Sequence, residues 1–550
     1  MFLFALRRLA GWLPLLVLLL LATGGCKRRT AVESGIAEQV IHLGNSSEPR
    51  DLDPSTAVSN TEGIILSSLF EGLVNYSPDC REIVPGAAEK WDVSPDGKTL
   101  TFHLRPGLKW SNGDPLTSAD FLYAFRRLIE PPLGAELAIY ADWVVGGQAY
   151  REGKAHDLNA VGFRAPDPQT FEITLRERAP YYLGILAQYP FYPLHRATIE
   201  KHGAYLKRDG AWTKPGSMVG NGAFQLKEWK VNENVTVEKN PNYWDAAHVA
   251  LKSAVYHPID NLDTEERAFR GGRLHVTRSL PVVKLPGYRK DQPALVHTDE
   301  YIQTTYIDFN VLRAPFTDAR VRRAFNLALD RQALVHGVSR DGSRLADNFS
   351  VPGSGGYTAR AHLSFDGEKA RAMLAEAGFP GGAGFPHVSL VFAPSHQGAQ
   401  AMVEALQGMW QRELGVRVEL VAQEEKVWLN TMRAKDFQLL VDGWLSGVND
   451  PVDLFQLFLG TSPNNNTGWD SPGYNEEFAA AAQAPDDASR EVHLQSMDAV
   501  LLDELPLIPL FHLSQNYLVH PTVQGWKDNV LGWHQLRHVV LQAPAAAKKP

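Results

Sequence analysis

FQLLVDGWLSGVNDPVD, residues 437–453, is the stretch whose reading decides the fold. Residues 437–441 are a short apolar run, closed on the far side by Asp442-Gly443, a turn dipeptide. Such a run reads as a buried strand emerging into a loop. The loop carries one large aromatic, Trp444, among residues that free or fix the backbone: Gly443, Gly447, Asn449, Asp450 and Pro451. Ligands of α/β sheets sit beyond the carboxyl ends of the strands, so a loop in this place is a binding candidate. Alone it reads more readily as a surface loop with a half-buried Trp, and its neighbours have to decide.

Working outward, residues 387–392 read as a strand, 400–414 as a helix, 416–422 as a strand and 424–434 as a helix. Strands alternating with helices imply parallel βαβ units with right-handed crossovers. The loops at 394–397 and at Trp444 then leave strand carboxyl ends on one edge. Further upstream, residues 40–43 read as a strand and 63–72 as a helix. Ser94-Pro95-Asp96-Gly97 is a turn, because Pro presets one dihedral angle and Gly accepts positive φ. It feeds residues 98–105, where Leu100, Phe102 and Leu104 alternate with polar partners as in a half-buried strand. Thr117 and Asp120 resemble a capping box ahead of Phe121, Ala124, Phe125 and Leu128 at helical spacing. Residues 171–175, 224–231, 235–238 and 301–310 read as strands. Thr317 caps a helix that presents Val321, Ala324, Phe325 and Ala328, and residues 491–502 form a later helix.

The chain has 550 residues, more than one ordinary core holds, and the length prior gives roughly three domains. Hydrophobic content of 44% and charged content of 21% belong to a folded protein. A net charge of −8 argues against a nucleic-acid partner, which needs a basic face. Arg7 and Arg8 precede an apolar run at residues 9–21 and then Ala22-Thr23-Gly24-Gly25-Cys26, the layout of an export signal at 1–25. The run is short for a membrane span. The two cysteines, Cys26 and Cys80, make no disulfide framework for an exported chain. Cys26 after Gly24-Gly25 resembles the bacterial lipobox, with Thr23 where Leu is usual, so Cys26 is the expected lipidation site. Residues 26–37 read as a polar tether and 544–550 as a frayed tail.

Catalytic signatures are missing. The chain has no G-x-S-x-G elbow, H-E-x-x-H helix, C-x-x-C pair or P-loop. Ser354 in Gly353-Ser354-Gly355-Gly356 precedes no apolar helix and reads as a flexible turn. Gly220-Asn221-Gly222 lacks a third glycine and leads into a strand, which excludes a nucleotide loop. No metal site and no cofactor are expected. A large exported chain without visible chemistry points to binding, not to an enzyme.

Several stretches share one further property. Leu52-Asp53-Pro54, Leu69-Phe70-Glu71-Gly72-Leu73, Pro85-Gly86-Ala87-Ala88-Glu89-Lys90-Trp91 and Lys109-Trp110-Ser111-Asn112-Gly113 are followed by Asn221-Gly222-Ala223-Phe224, Asn240-Pro241-Asn242-Tyr243-Trp244 and Pro315-Phe316-Thr317-Asp318-Ala319-Arg320. In this order and spacing they resemble the oligopeptide- and dipeptide-binding proteins, the extracytoplasmic solute-binding family (family 5) of bacterial peptide ABC importers. The resemblance runs from about residue 41 to 541. It implies an α/β, two-lobed periplasmic-binding-protein-like fold (class II, the large three-domain variant) with hinged lobes. Lobe one would take residues 38–70, 200–298 and 520–543, an inserted domain 71–199, and lobe two 299–519.

The resemblance also implies the function: peptides held in extended conformation between closing lobes and delivered to permease subunits, by a monomer lipid-anchored at the periplasmic or outer face of the bacterial envelope. Main-chain hydrogen bonds would hold such a ligand. The segments that match the family's ligand-binding ones are Val58-Ser59-Asn60 and Gly443-Trp444-Leu445. The family loop reads roughly G-W-x-x-D-x-x-D/E-P, and its first acid pairs with the peptide's α-ammonium. Here that position is Gly447, while Asp450 keeps the second. Either Asp442, Asp450 or Asp453 takes over, or the ligand lacks a free ammonium. The family's basic residue before G-W corresponds to Val441, leaving His396, Arg340 and Arg313 as candidates to meet a carboxylate. Alternatives stay open: a binder of a metal chelate, a glycoside or an amino-blocked solute, a chaperone-like role, or an exported hydrolase.

Overall fold

The computed structural model describes residues 29–208, 210–335, 337, 342–395 and 398–543. The export signal at 1–25, Cys26 and the tail at 544–550 lie outside the described residues. Most of the stretch read as a tether is helical instead. Helix α1 (Ala31–Glu38) has Thr30 as its N-cap and Glu33 as the reciprocating residue of a capping box, and it buries Val32. The Thr-x-x-Glu signature outweighs the polar composition around it.

Strand β1 (Val40–Gly44) follows, with Ile41 and Leu43 inside. Helix α2 (Asn60–Leu69) starts at a second capping box, Ser59 with Glu62, three residues before the expected start. Strands β2 (Ala88–Val93) and β3 (Thr99–Leu104) precede α3 (Ser118–Leu128), and β4 (Phe163–Asp167) and β5 (Thr170–Thr174) complete an antiparallel sheet in the order β2-β3-β5-β4. Thr117 caps α3 as its spacing predicts, and the helix buries Phe121, Ala124, Phe125 and Leu128. The Phe125 ring meets Phe163 at 5.3 Å and Phe171 at 5.1 Å, both edge-on, which locks α3 to this sheet.

The chain then returns to β1. Strands β6 (Phe224–Lys230), β7 (Asn234–Lys239) and β8 (Ser253–His257) give the order β1-β8-β7-β6, with β1 and β8 parallel. The remaining elements are β9 (Val296–Phe309), α4 (Ala319–Leu327), β10 (Arg344–Leu345), β11 (Val388–Phe392), α5 (Ala399–Leu414), β12 (Val418–Ala422), α6 (Glu425–Arg433), β13 (Leu439–Leu445), α7 (Asp487–Glu504) and β14 (Leu507–Leu518). Their strands form a six-stranded sheet, β10-β14-β9-β13-β11-β12. The parallel pairs β11–β12 and β11–β13 are those expected from the strand–helix alternation. One sheet face packs Ile307, Phe309 and Ile508 against Phe325, Leu406 and Trp410 of α4 and α5.

Two local expectations change. Helix α4 is capped by Asp318, not Thr317: the Asp318 carboxylate accepts from the Arg320 N–H, and a carboxylate caps better than a hydroxyl. Strand β13 does not turn at Asp442-Gly443 but continues to Leu445. Gln303, Thr304 and Thr305 of β9 stand opposite Leu445, Trp444 and Gly443, and this ladder overrides the turn preference of the dipeptide.

One buried ion pair ties the small antiparallel sheet to the segment before α2. Arg127 of α3, fully buried, donates to both carboxylate oxygens of Asp53 at 2.8 and 2.6 Å, and to the Tyr205 carbonyl at 2.8 Å. Removing one partner of such a pair strands the other charge. Arg127→Met is expected to destabilise the protein by about 3–5 kcal/mol in urea unfolding followed by Trp fluorescence. A loss under about 1 kcal/mol would mean that water takes the guanidinium's place.

Candidate functional site

The site begins with an unfinished ladder. β13 pairs with β9 over its whole length, from Phe309–Leu439 to Gln303–Leu445. Its other neighbour, β11, pairs only with Leu439 and Leu440. From 441 to 445, alternate residues therefore turn their N–H and C=O groups away from β9, and among the described residues no strand meets them. Gly443 is exposed there and Trp444 and Leu445 are half-buried. This open edge has the hydrogen-bonding period of an extended chain.

Trp444 is held from beneath. Its Nε1–H points at Asp453 Oδ2 (3.3 Å), which also accepts from Ser446 Oγ (2.9 Å) and the Gly447 N–H (3.1 Å), while Oδ1 accepts from Gln456 Nε2 (2.7 Å). Burial pushes the Asp453 carboxyl up from its ordinary range, and these hydrogen bonds pull back. Asp450, three residues earlier, is turned the other way, to Arg490 NH2 at 2.6 Å. Asp442 lies across from Tyr306 on β9 and accepts from its hydroxyl at 3.3 Å. Burial, and then the Asp442 charge, raise the carboxyl of fully buried Asp308 far above the usual range. The three candidate acids thus face three different environments.

Across from the loop, residues 140–189 supply groups that no sequence pattern marked. Gln188 Nε2 donates to the Gly447 carbonyl at 2.6 Å. A Cβ built on Gly447 would stand 3.1 Å from Tyr140 Oη and 3.2 Å from Gln188 Nε2, so the missing side chain is what admits these two. Burial, and then the charge of Asp453, push the Tyr140 phenol up, keeping it a donor. Tyr189 stacks on Trp533 at 5.8 Å, and both approach Gly63 in the first turn of α2. Val58, Ser59 and Asn60 are brought here by that turn. Ser59 spends its N–H on Glu62 and its carbonyl on the Gly63 N–H, but Val58 makes no hydrogen bond among the described residues.

Gly443, Trp444 and Leu445, at the end of β13, therefore lead straight into Gly447, which Gln188 and its neighbour Tyr189 link to the first turn of α2 after Val58 and Ser59. Asp450 belongs to a neighbouring cavity of about 510 Å³, lined by Tyr181, Tyr357, Val448, Asn449 and Arg490. Arg313 is spent elsewhere, on Asp436 at 2.9 Å. His396 and Arg340 lie outside the described residues. Gln188 and Tyr140 were not legible in advance, although Tyr-Pro-Phe-Tyr at 189–192 is an aromatic run beside the first of them.

Residues 82–466 match the family model described as "Bacterial extracellular solute-binding proteins, family 5 Middle". The periplasmic oligopeptide-binding protein OppA of Escherichia coli is 32% identical over 93% of this chain and 94% of its own. A probable deoxycholate-binding periplasmic protein, YgiS, of the same organism is also 32% identical, over 89% of this chain and 91% of its own. The unliganded open form of the periplasmic murein tripeptide-binding protein MppA superposes with a TM-score of 0.80 at 29% identity, covering 92% of this chain and 97% of that one.

The contact at Gly447 is testable beside its neighbour. Gly447→Ala should lift Gln188 off the carbonyl and cost about 1–2 kcal/mol in thermal unfolding. Gly443→Ala, where a Cβ meets nothing nearer than 3.5 Å, should stay within about 0.5 kcal/mol. Equal effects would place Gln188 elsewhere in solution.

Proposed function

The chain belongs to the bacterial extracellular solute-binding proteins of family 5, and we propose that it captures peptides in extended conformation and hands them to the permease of an ABC importer. The observation that carries this reading is the open edge of residues 441–445. No strand meets this edge among the described residues, so a ligand can extend the sheet there by one strand, and main-chain contacts are blind to side-chain identity. Val58, whose N–H and carbonyl make no hydrogen bond among the described residues, supplies a second rail. The rings of Trp444, Tyr189 and Trp533 give apolar walls between them.

Capture would use the lobes as hinged bodies: 38–70, 200–298 and 520–543 as lobe one, 71–199 as the inserted domain and 299–519 as lobe two. β9 and β14 are the strands that approach or cross those boundaries, so the hinge is placed there. A ligand touching both rails favours the closed state by its extra contacts, and the permease reads that state. The role is binding, not catalysis, as is that of the family. Cys26 is assigned as the lipid attachment point of a monomer at the extracytoplasmic face.

Di- to pentapeptides titrated into the protein calorimetrically should bind, and at 100 times its Kd a peptide should add about 2.7 kcal/mol of stability. Silence across the whole panel would end the peptide reading. For the anchor, Cys26→Ala should move the protein from the membrane pellet to the soluble extract on cell fractionation. A variant that still pellets is held by something other than that thiol.

A further inference from the structure

Beyond Gly447 the chain lines a cavity that lies apart from the open edge. Its volume of about 510 Å³ is of the size that takes a small ligand, and its lining includes none of residues 441–447. Val448, 3% exposed, is the partition. A Cβ built on Gly184 would stand 3.4 Å from Val448 Cγ1, and the Tyr76 hydroxyl donates to the Gly184 carbonyl at 3.0 Å. One bank of the cavity comes from residues 76–83 and 180–184, the other from 355–357 and the first turns of α7.

The floor is an ion pair with a side of each partner left over. Arg490 gives NH2 to Asp450 Oδ1 at 2.6 Å, and the same oxygen accepts from the Val452 N–H at 2.9 Å. Arg490 Nε and NH1 and Asp450 Oδ2 make no hydrogen bond among the described residues. The two residues are only 9 and 7% exposed, and a pair so buried is tolerated when its other protons and lone pairs find partners. The rim repeats the two signs: exposed Arg81 on one bank and exposed Asp487 on the other form no ion pair among the described residues. The Asp487 charge reaches Arg490. Glu491, by contrast, is held by Arg360 at 2.8 Å. The walls between these charges are apolar, from Ile83, Val448 and Leu494. The Tyr181 ring, 5.9 Å from the Arg490 guanidinium, continues them, and so does Tyr357, whose hydroxyl is turned away to Asp498 at 2.8 Å.

A cation and an anion side by side, each with a free face, match the ammonium and carboxylate that an α-amino acid carries on one carbon. The carboxylate would accept from Arg490 Nε and NH1, and the ammonium would donate to Asp450 Oδ2. A ligand with one charge only would leave the other member of the pair unmatched. We propose that this cavity is a second binding site, separate from the open edge of β13, for a zwitterionic α-amino acid with an apolar side chain. The Asp450–Arg490 pair holds its two charges, Arg81 and Asp487 reinforce them at the rim, and the apolar walls take the side chain.

L-Leucine is the ligand for the test, followed by saturation-transfer NMR and calorimetry on the full chain. It should bind, with N-acetyl-L-leucine and L-leucinamide about ten-fold weaker or worse, because each keeps one charge of the two. Capped forms that bind as well as leucine overturn the proposal. Ala488, exposed on α7 and part of the lining, allows the cavity to be filled: Ala488→Phe should abolish leucine binding and leave pentapeptide binding unchanged. Asp487→Asn and Arg81→Gln, at exposed positions that the fold tolerates, should each weaken leucine about three-fold or more. Leucine binding unchanged in all three variants places the amino acid elsewhere and overturns the proposal. Absence of leucine binding up to about 10 mM overturns it as well, while a pentapeptide that still binds keeps the peptide reading intact.

Discussion

The pairing of β9 with β14 is the constraint on which the rest of the large sheet depends. The strands are 14 and 12 residues long and run antiparallel from Val296–Leu518 to Asp308–Leu507. The other edge of β9 then fixes β13: Thr304 stands opposite Trp444 and Tyr306 opposite Asp442. A slip of one residue would exchange the faces of the sheet, turning Asp442 toward the apolar core of α4 and α5 and Val441 away from it. The position of the candidate loop is thus set by a strand well over a hundred residues away. At its other end β9 is anchored by Asp299, fully buried, which accepts from Tyr517 Oη, the Asn529 N–H and His534 Nε2, each at 2.9–3.0 Å. Strand pairing and a polar knot act on one element.

Legibility followed the locality of the cause. Helix α3 was readable because Thr117, Asp120 and the apolar spacing of Phe121 to Leu128 lie within a dozen residues. The β11–α5–β12–α6–β13 series was readable for the same reason. Strand β14 was not read, and Pro506 and Pro509 show why. Proline interrupts the signal of a strand, yet Pro509 sits inside β14 opposite Tyr306, beside a register shift in the ladder. A bulge tolerates the missing N–H, and the Pro509 carbonyl is taken by Arg331 Nε at 2.7 Å. The extension of β13 through Asp442-Gly443 is a similar case, where a partner strand decides against local turn preference.

The candidate site divides along the same line. Trp444, Gly447 and Asp450 stand together in sequence, so the loop announced itself. Gln188 has no motif and is 259 positions from the carbonyl it meets. Its contact exists only once the chain around it is packed on the loop. Arg313 illustrates the converse: a basic residue that sequence offered as a carboxylate partner is engaged with Asp436 at 2.9 Å.

Counting acids near a binding loop gives a poor measure of the charge that a ligand feels. Residues 442–453 contain Asp442, Asp450 and Asp453, enough on paper to replace a carboxylate absent from position 447. In the fold each is given a different set of protein partners. Asp450 neutralises Arg490, Asp453 stiffens the loop from below through neutral donors, and Asp442 stands over Tyr306 beside buried Asp308. A buried carboxylate is tolerated only when such partners satisfy it, so these interactions fix where each acid can act. Asp450 is neutralised by Arg490, whereas Asp453, held by neutral donors, keeps its charge behind Gly447 and acts on the Tyr140 phenol. The surroundings of Gly447 are therefore set by Tyr140 and Gln188 as much as by the loop itself.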